Sequence, residues 1–473
     1  MEKQGATYIL EPFGLEASHG QELWMEHGPL ALRLVAVSPE EIAGVASRLK
    51  RQVEHAHARP LAQNIEALRQ VGLLWSNHSY QPRQDALAVL PALTHLSPSM
   101  VEAEMGELCR LLRPETLYRW MERELGTSSV MESWLESDAF LIHRQPRGLI
   151  FHNLSGNAFL LPALCILFGL LTKNTTLLKL ATAEPYFGIR FAESLREVSP
   201  EVAEDIAVLY WSGQNQACYH ALFQQGLGAA VGWGDVRSAQ AISTYAGQYR
   251  TRFIDHGARF GLALIDRISQ KELPRVTEAL ARDIVPWEGY ACISPPFLFV
   301  VEGEVSAQDF AQALLSSMEA LRVGSDLHPS QIDISRSSAL IANREYYFFQ
   351  LEAEGRGKVF TSAATGATVI YSERPPTLKD LELCSGRMVM VYRVGRLEDV
   401  YPALVQHGLG DYCQAVAFYG RGDEPKEFLD RLTLAGISHI SRPGGLNDKE
   451  VGFSHDGIWN LQELTRLVTR SRP

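Results

Sequence analysis

The chain lacks any Cys-X-X-Cys pair and any His/Cys zinc spacing. Its six cysteines (Cys109, Cys165, Cys218, Cys292, Cys384 and Cys413) therefore suggest no metal site. Six thiols in 473 residues are also too few for a disulfide framework, and a reducing compartment fits best. Basic charge is in deficit: 44 Lys and Arg against 55 Asp and Glu leave a net charge of −11. That argues against nonspecific nucleic-acid binding, although a local cluster of amides or lysines can still hold a phosphate. No apolar run reaches the ~18 residues of a membrane span. The most apolar stretch, "FLLPALCILFGLL" from Phe159 to Leu171, reads as a core helix, with an acyl tunnel as the other reading. A basic start followed by a long apolar run is missing from the amino terminus, so no signal peptide is expected and localisation defaults to the cytoplasm. Fixed-period repeats, low-complexity tracts and Pro/Gly/Ser linkers are missing too.

What is present is an ordinary globular composition, 46% hydrophobic and 21% charged, on a chain long enough for two large domains. Residues 1 to about 135 read as mostly helical, with early strands such as "LALRLVAVS". Apolar bursts then alternate with amphipathic helices: "RGLIFHNL", "TTLLKLA", "DIAVLYWS", "GAAVGWG" and "RFGLALID" read as five strands. Repeated βαβ units of this kind predict a doubly wound parallel sheet that binds ligands at the carboxyl ends of its strands. A second α/β series follows. The expected division is 1–266 for the helical lead-in and a dinucleotide-binding domain, 267–454 for a catalytic domain, and 455–473 for a C-terminal segment.

Four local features bear on chemistry. Cys292 lies in "GYACISP", a short joint between a helix and the strand "FLFVVEG"; it is either a small core hydrophobe or a reachable nucleophile. Asn157, in "LSGNAF" after the first strand, is either a turn residue or an amide donor to a developing oxyanion. Lys179 at the tail of the second strand is either a snorkelling surface lysine or a ribose and phosphate contact. Thr182 beyond it is neutral, which permits a 2′-phosphate. Gly232 and Gly234 flank Trp233 in "AVGWGDVRSAQ", where glycines let amides at a helix start approach a pyrophosphate, or simply pack.

Taken in order, these features resemble the aldehyde dehydrogenase superfamily. Within it, "PRGLIFHNLSGNAFLLPALCILFGLLTKNTTLLKL", "GYACISP" and "RPGGLNDKEVGFSHDG" are similar to the acyl-CoA reductases that include the fatty acid reductase of bacterial bioluminescence. The resemblance runs from about residue 140 to the C-terminus. It implies that Cys292 is acylated, that Asn157 and the Cys292 amide form an oxyanion hole, that Lys179 binds the adenosine ribose or its phosphate, and that Gly234 faces the pyrophosphate. It also implies an oligomerisation strand near 139–148, a homo-oligomer, and a partner acyl-protein synthetase. Two family motifs are altered. The water-activating Glu region reads "FIDHGARFG", which makes His256 or Asp255 the nearby candidate base, and the ribose-binding Glu is replaced in "LELCSGRMV" by Leu383, with Glu382 one residue off.

The loss of the water-activating carboxylate argues for reduction of an acyl group. The expected reaction is transfer of an acyl group from CoA or another carrier to Cys292, followed by reduction to an aldehyde with NADPH, or NADH. Two alternatives stay open: an NAD(P)-dependent dehydrogenase making a free acid, and a non-reducing acyl-carrying subunit. His256 is expected to serve acid–base chemistry, whereas His455-Asp456-Gly457 is expected to form a turn.

Overall fold

A computed structural model describes residues 6–16, 18, 20–27, 30–324, 334–384, 386–420, 426–447 and 451–472. The amino-terminal region folds as a small sheet (Ala6–Leu10, Gln21–His27 and Leu30–Ala36) followed by five helices between Pro39 and Leu125. The first helix, Pro39–Ala58, starts on a capping box in which Ser38 and Glu41 exchange hydrogen bonds.

Five parallel strands then form the first large sheet, in the order Arg252–His256, Ala229–Trp233, Leu149–Asn153, Thr175–Lys179, Ile206–Leu209. Four of them are buried along their whole length, as expected for a sheet covered by helices on both faces. Successive strands grow outward on one side of Leu149–Asn153, and the chain then returns to its other side at Ala229–Trp233. The topological switch point therefore lies between these two strands, where open α/β sheets bind ligands.

The second sheet has seven strands, in the order Gly357–Thr361, Thr368–Ser372, Met388–Val394, Phe297–Val301, Phe260–Asp266, Cys413–Tyr419, His439–Ser441. The edge strand Gly357–Thr361 is antiparallel and the others are parallel. This corrects one strand assignment. Phe260–Asp266, read with the first sheet, sits in the middle of the second, and the first sheet is completed instead by Arg252–His256. The shorter strand was missed because only Ile254 and His256 in it are buried. The chain thus leaves the carboxyl edge of one sheet at His256 and enters the amino edge of the other at Phe260, and the cleft between the sheets opens there.

A third unit pairs Thr465–Ser471 with Phe140–Pro146, and Phe140–Pro146 with Leu135–Ser137, all antiparallel. No helix among the described residues is long and apolar enough to cross a membrane.

Candidate active site

Cys292 sits in a turn between the helix Leu273–Ile284 and the strand Phe297–Val301, at the amino edge of the second sheet. The turn is held from three directions. Gln414 Nε2, itself buried, donates to the Cys292 carbonyl at 2.7 Å. Gly261 N donates to the Ser294 carbonyl at 3.1 Å, and a Cβ at Gly261 would collide with the Ile293 carbonyl. Upstream, Trp287, Glu288 and Gly289 all adopt positive φ (56°, 54° and 78°), a conformation side chains rarely take. The buried Glu288 carboxylate anchors that turn on the equally buried Arg387 guanidinium at 2.6 Å.

The Cys292 sulfur opens onto a cavity of about 610 Å³ between the two sheets. Asn157, Trp233, Gly234 and His256, each singled out in the sequence, line the same cavity. Asn157 Oδ1 accepts the Ser155 hydroxyl at 2.7 Å, which turns Nδ2 toward the Tyr290 carbonyl at 3.4 Å, two residues from Cys292. That long hydrogen bond leaves the amide free to be recruited by an oxygen forming beside the sulfur.

The histidines are arranged differently from the sequence expectation. His455 Nε2, not His256, lies next to the thiol, 3.9 Å from Sγ. The expected turn is present, with Ile458 N donating to the His455 carbonyl, and it delivers the imidazole to the cavity. The buried Asp456 carboxylate lies 3.6 Å from His455 Nε2 and 2.7 Å from His256 Nδ1. His256 Nε2 meets Asn460 Oδ1 at 2.8 Å, so both of its nitrogens are engaged and it faces the carboxylate, not the thiol. Trp233 stacks on His256 with ring centroids 4.2 Å apart, and its indole N–H donates to His152 Nδ1 at 3.2 Å. Burial, reinforced by His256, pushes His152 down to about 3, so it is neutral and can accept that proton. The donor atoms of His256, His455 and Asp456 all lie within 4.8 Å of one another, a spacing that could also hold a metal ion. The other cysteines stand apart from the cavity, and burial raises their thiols; Cys384, inside the altered ribose motif, is pushed up to about 12 and packs against Tyr347.

The expected cofactor residues cluster at the carboxyl ends of the first sheet. Lys179 is buried over the Trp211 ring, its ammonium 5.8 Å from the centroid and 3.3 Å from the Leu180 carbonyl. Burial pushes it down to about 8, and no ion pair joins it to a carboxylate among the described residues. An amine buried without a counter-charge suits an anionic ligand. Thr182 Oγ1 meets the Tyr210 hydroxyl at 3.1 Å. Gly234, with φ 144°, leaves room between Ser155 and Ser238. Asp235 caps the following helix by accepting from Ser238 N at 2.7 Å, so a pyrophosphate there would meet Gly234 and the serine hydroxyls, not a bare helix end. Gly232 lies inside its strand, not in the turn, and its missing side chain makes room for the Phe253 ring. Together these groups fit a phosphorylated dinucleotide. Leu383 and Glu382 do not line the cavity.

Comparison with known proteins is consistent with this geometry. The chain is 24% identical over 433 residues to the long-chain acyl-protein thioester reductase of Vibrio harveyi, covering 90% of this chain and 86% of that one. It is 25% identical over 418 residues to the enzyme of the same name from Photorhabdus laumondii, covering 86% and 82%. Among solved structures, it superposes on an NAD-dependent aldehyde dehydrogenase from Sinorhizobium meliloti with a TM-score of 0.73 at 13% identity, covering 100% of this chain and 96% of that one. For an NADP-dependent glyceraldehyde-3-phosphate dehydrogenase from Bacillus halodurans C-125, the values are 0.72 and 16%, covering 98% and 99%. The model of the acyl-CoA reductase (LuxC) family matches residues 56–467, which take in both large sheets and the cysteine turn; the chain belongs to that family and has the aldehyde dehydrogenase fold.

Proposed function

We propose that this protein reduces an acyl thioester to an aldehyde through a covalent acyl group on Cys292, with a nicotinamide cofactor and a preference for NADPH. The observation that carries the reading is the shared cavity, in which Cys292, His455 and Asn157 meet an apolar wall built by Leu160, Leu161 and Leu164. The names of the relatives, long-chain acyl-protein thioester reductases, support the substrate class.

The residues divide the work as follows. His455 takes the thiol proton from Cys292, and Asp456 steadies the resulting imidazolium while His256, itself held by Asn460, keeps that carboxylate in place. The sulfur attacks the acyl carbonyl, and its oxygen, now negative, is met by Asn157 Nδ2 and a backbone amide of the turn. The carrier leaves as a thiol, accepting its proton from His455. When bound, the nicotinamide supplies a hydride to the thioester carbon. The resulting tetrahedral oxyanion, held by Asn157, collapses to the aldehyde and expels the Cys292 thiolate, which regains its proton from solvent through His455. Lys179, Thr182 and Gly234 orient the adenosine and phosphate portions. His256 stands where a water-activating carboxylate would serve acid formation, and its two nitrogens are already committed, which favours reduction over hydrolysis. The outward-facing sheet of Thr465–Ser471, with Leu467 and Phe140 about half exposed, supports a homo-oligomer. CoA or a protein thioester delivered by a partner synthetase remains the acyl source in this reading.

Intact-mass measurement after incubation with mixed acyl-CoA thioesters, followed by NADPH and aldehyde trapping, tests the proposal. An acyl adduct at Cys292 discharged as aldehyde is expected. Free acid as the product, or an adduct that NADPH does not discharge, would overturn the reductive step.

A further inference from the structure

The helix Leu161–Leu171 begins four residues after Asn157, and only one stripe of it faces the cavity. Leu161, Leu164 and Phe168 line it, whereas Cys165, Ile166, Leu167 and Leu170 are packed into the core. At 1.5 Å per residue, the stripe runs about 10 Å from Leu161 to Phe168, away from the reacting sulfur. At its end the indole of Trp120, from the helix Pro114–Leu125, meets Phe168 edge-on, with centroids 5.3 Å apart and planes at 88°. Trp120 is tethered from behind. Its N–H donates to Glu124 Oε1 at 2.6 Å, and the other oxygen of that buried carboxylate accepts from Leu461 N at 2.7 Å. The helix Pro98–Leu111 adds Glu104, Glu107 and Leu111 to the same lining.

We propose that Trp120, braced against Phe168 by Glu124, is the residue that sets how long an acyl chain this enzyme accepts. The inference rests on the reading of Cys292 as the acylated group. An acyl chain attached to Cys292 lies along Leu161 and Leu164, and its methyl end stops against the indole. The Glu104 and Glu107 carboxylates in the same lining offer no apolar contact to further methylenes. Glu124 is a positioning residue: its carboxylate holds the Trp120 indole through the indole N–H.

The test is the ratio of kcat/KM for long to medium saturated acyl-CoA thioesters, with Cys292 acylation followed by intact mass in the same samples. Trp120→Ala is expected to raise the ratio about tenfold, the discrimination a pocket draws from one or a few methylenes. Leu164→Trp, which narrows the channel nearer the sulfur, is expected to lower it by a similar factor. Trp120→Phe, which keeps the ring, is expected to bring the ratio back toward that of the unmodified enzyme. Should Trp120→Ala fail to fold, Leu164→Trp decides alone. Ratios that do not move while Cys292 still becomes acylated overturn the role of Trp120 and leave the reading of Cys292 standing. An unmodified enzyme acylated by no chain length overturns both.

Discussion

The sulfur of Cys292 and Nε2 of His455 lie 3.9 Å apart, although 163 residues separate them in the chain. The Asp456 carboxylate, on a residue that adopts φ 52°, lies 3.6 Å from that same nitrogen. His455→Gln should slow acylation of Cys292 by about 10² to 10⁴-fold, the range of a general base. Stopped-flow acylation checks this; a His455→Gln enzyme with an unchanged rate would return the role to His256.

Cys292→Ser and Cys292→Ala should retain the fold and the cofactor site but show no stable thioester adduct by mass spectrometry. Labelling that persists in Cys292→Ala would remove Cys292 from the chemistry.

Asn157 Nδ2 is aimed by the Ser155 hydroxyl at the turn that holds Cys292. Asn157→Ala should lower kcat about 100-fold or more with little change in KM, because the lost hydrogen bond forms only as the oxyanion develops. Equal losses in acylation and reduction are expected, as both pass through a tetrahedral oxyanion.

Burial without a counter-charge pushes Lys179 down to about 8. In the proposed cofactor role, the ammonium would attract the adenosine phosphate below that pH, and above it the neutral amine would not. NADPH affinity should therefore weaken as pH rises from 7 to 9, approaching tenfold per unit above 8, and NADH affinity should weaken less. Fluorescence titration of both cofactors in the unmodified enzyme and in Lys179→Met checks the difference, which should vanish in the variant.

Glu288 and Arg387 form a buried ion pair under the turn preceding Cys292. Arg387→Met takes the guanidinium away from the buried Glu288 carboxylate and should cost about 3–5 kcal/mol. Removing both charges in Glu288→Gln/Arg387→Met should cost less than Arg387→Met alone, as read from denaturant unfolding. An additive double variant would mean that the pair is not coupled.

The alternation of apolar bursts and amphipathic stretches made the two-sheet architecture legible, because parallel strands buried on both faces are almost wholly apolar. The same signal misplaced Phe260–Asp266. Strand character is local, whereas sheet membership depends on which neighbour supplies the hydrogen bonds. Cys292, Asn157, Trp233 and His256 could be gathered from motif order, and they do share one cavity. His455 could not: a His-Asp-Gly turn looks like any other turn until the carboxyl-terminal segment is folded across the cleft. Trp120 carried no signal, since an aromatic on an amphipathic helix is ordinarily core.

What the sequence determined by itself is most of the helices and buried strands and the place of Cys292 in a joint between a helix and a strand, for periodicity and turn residues are properties of neighbouring residues. Tertiary structure alone decided which histidine meets the thiol, how Asp456 is shared between two imidazoles, and where the apolar channel stops. The two histidine contacts join segments more than a hundred residues apart, and the meeting of the first sheet's carboxyl edge with the second sheet's amino edge brings them within reach; the channel end joins Trp120 and Phe168 from separate helices.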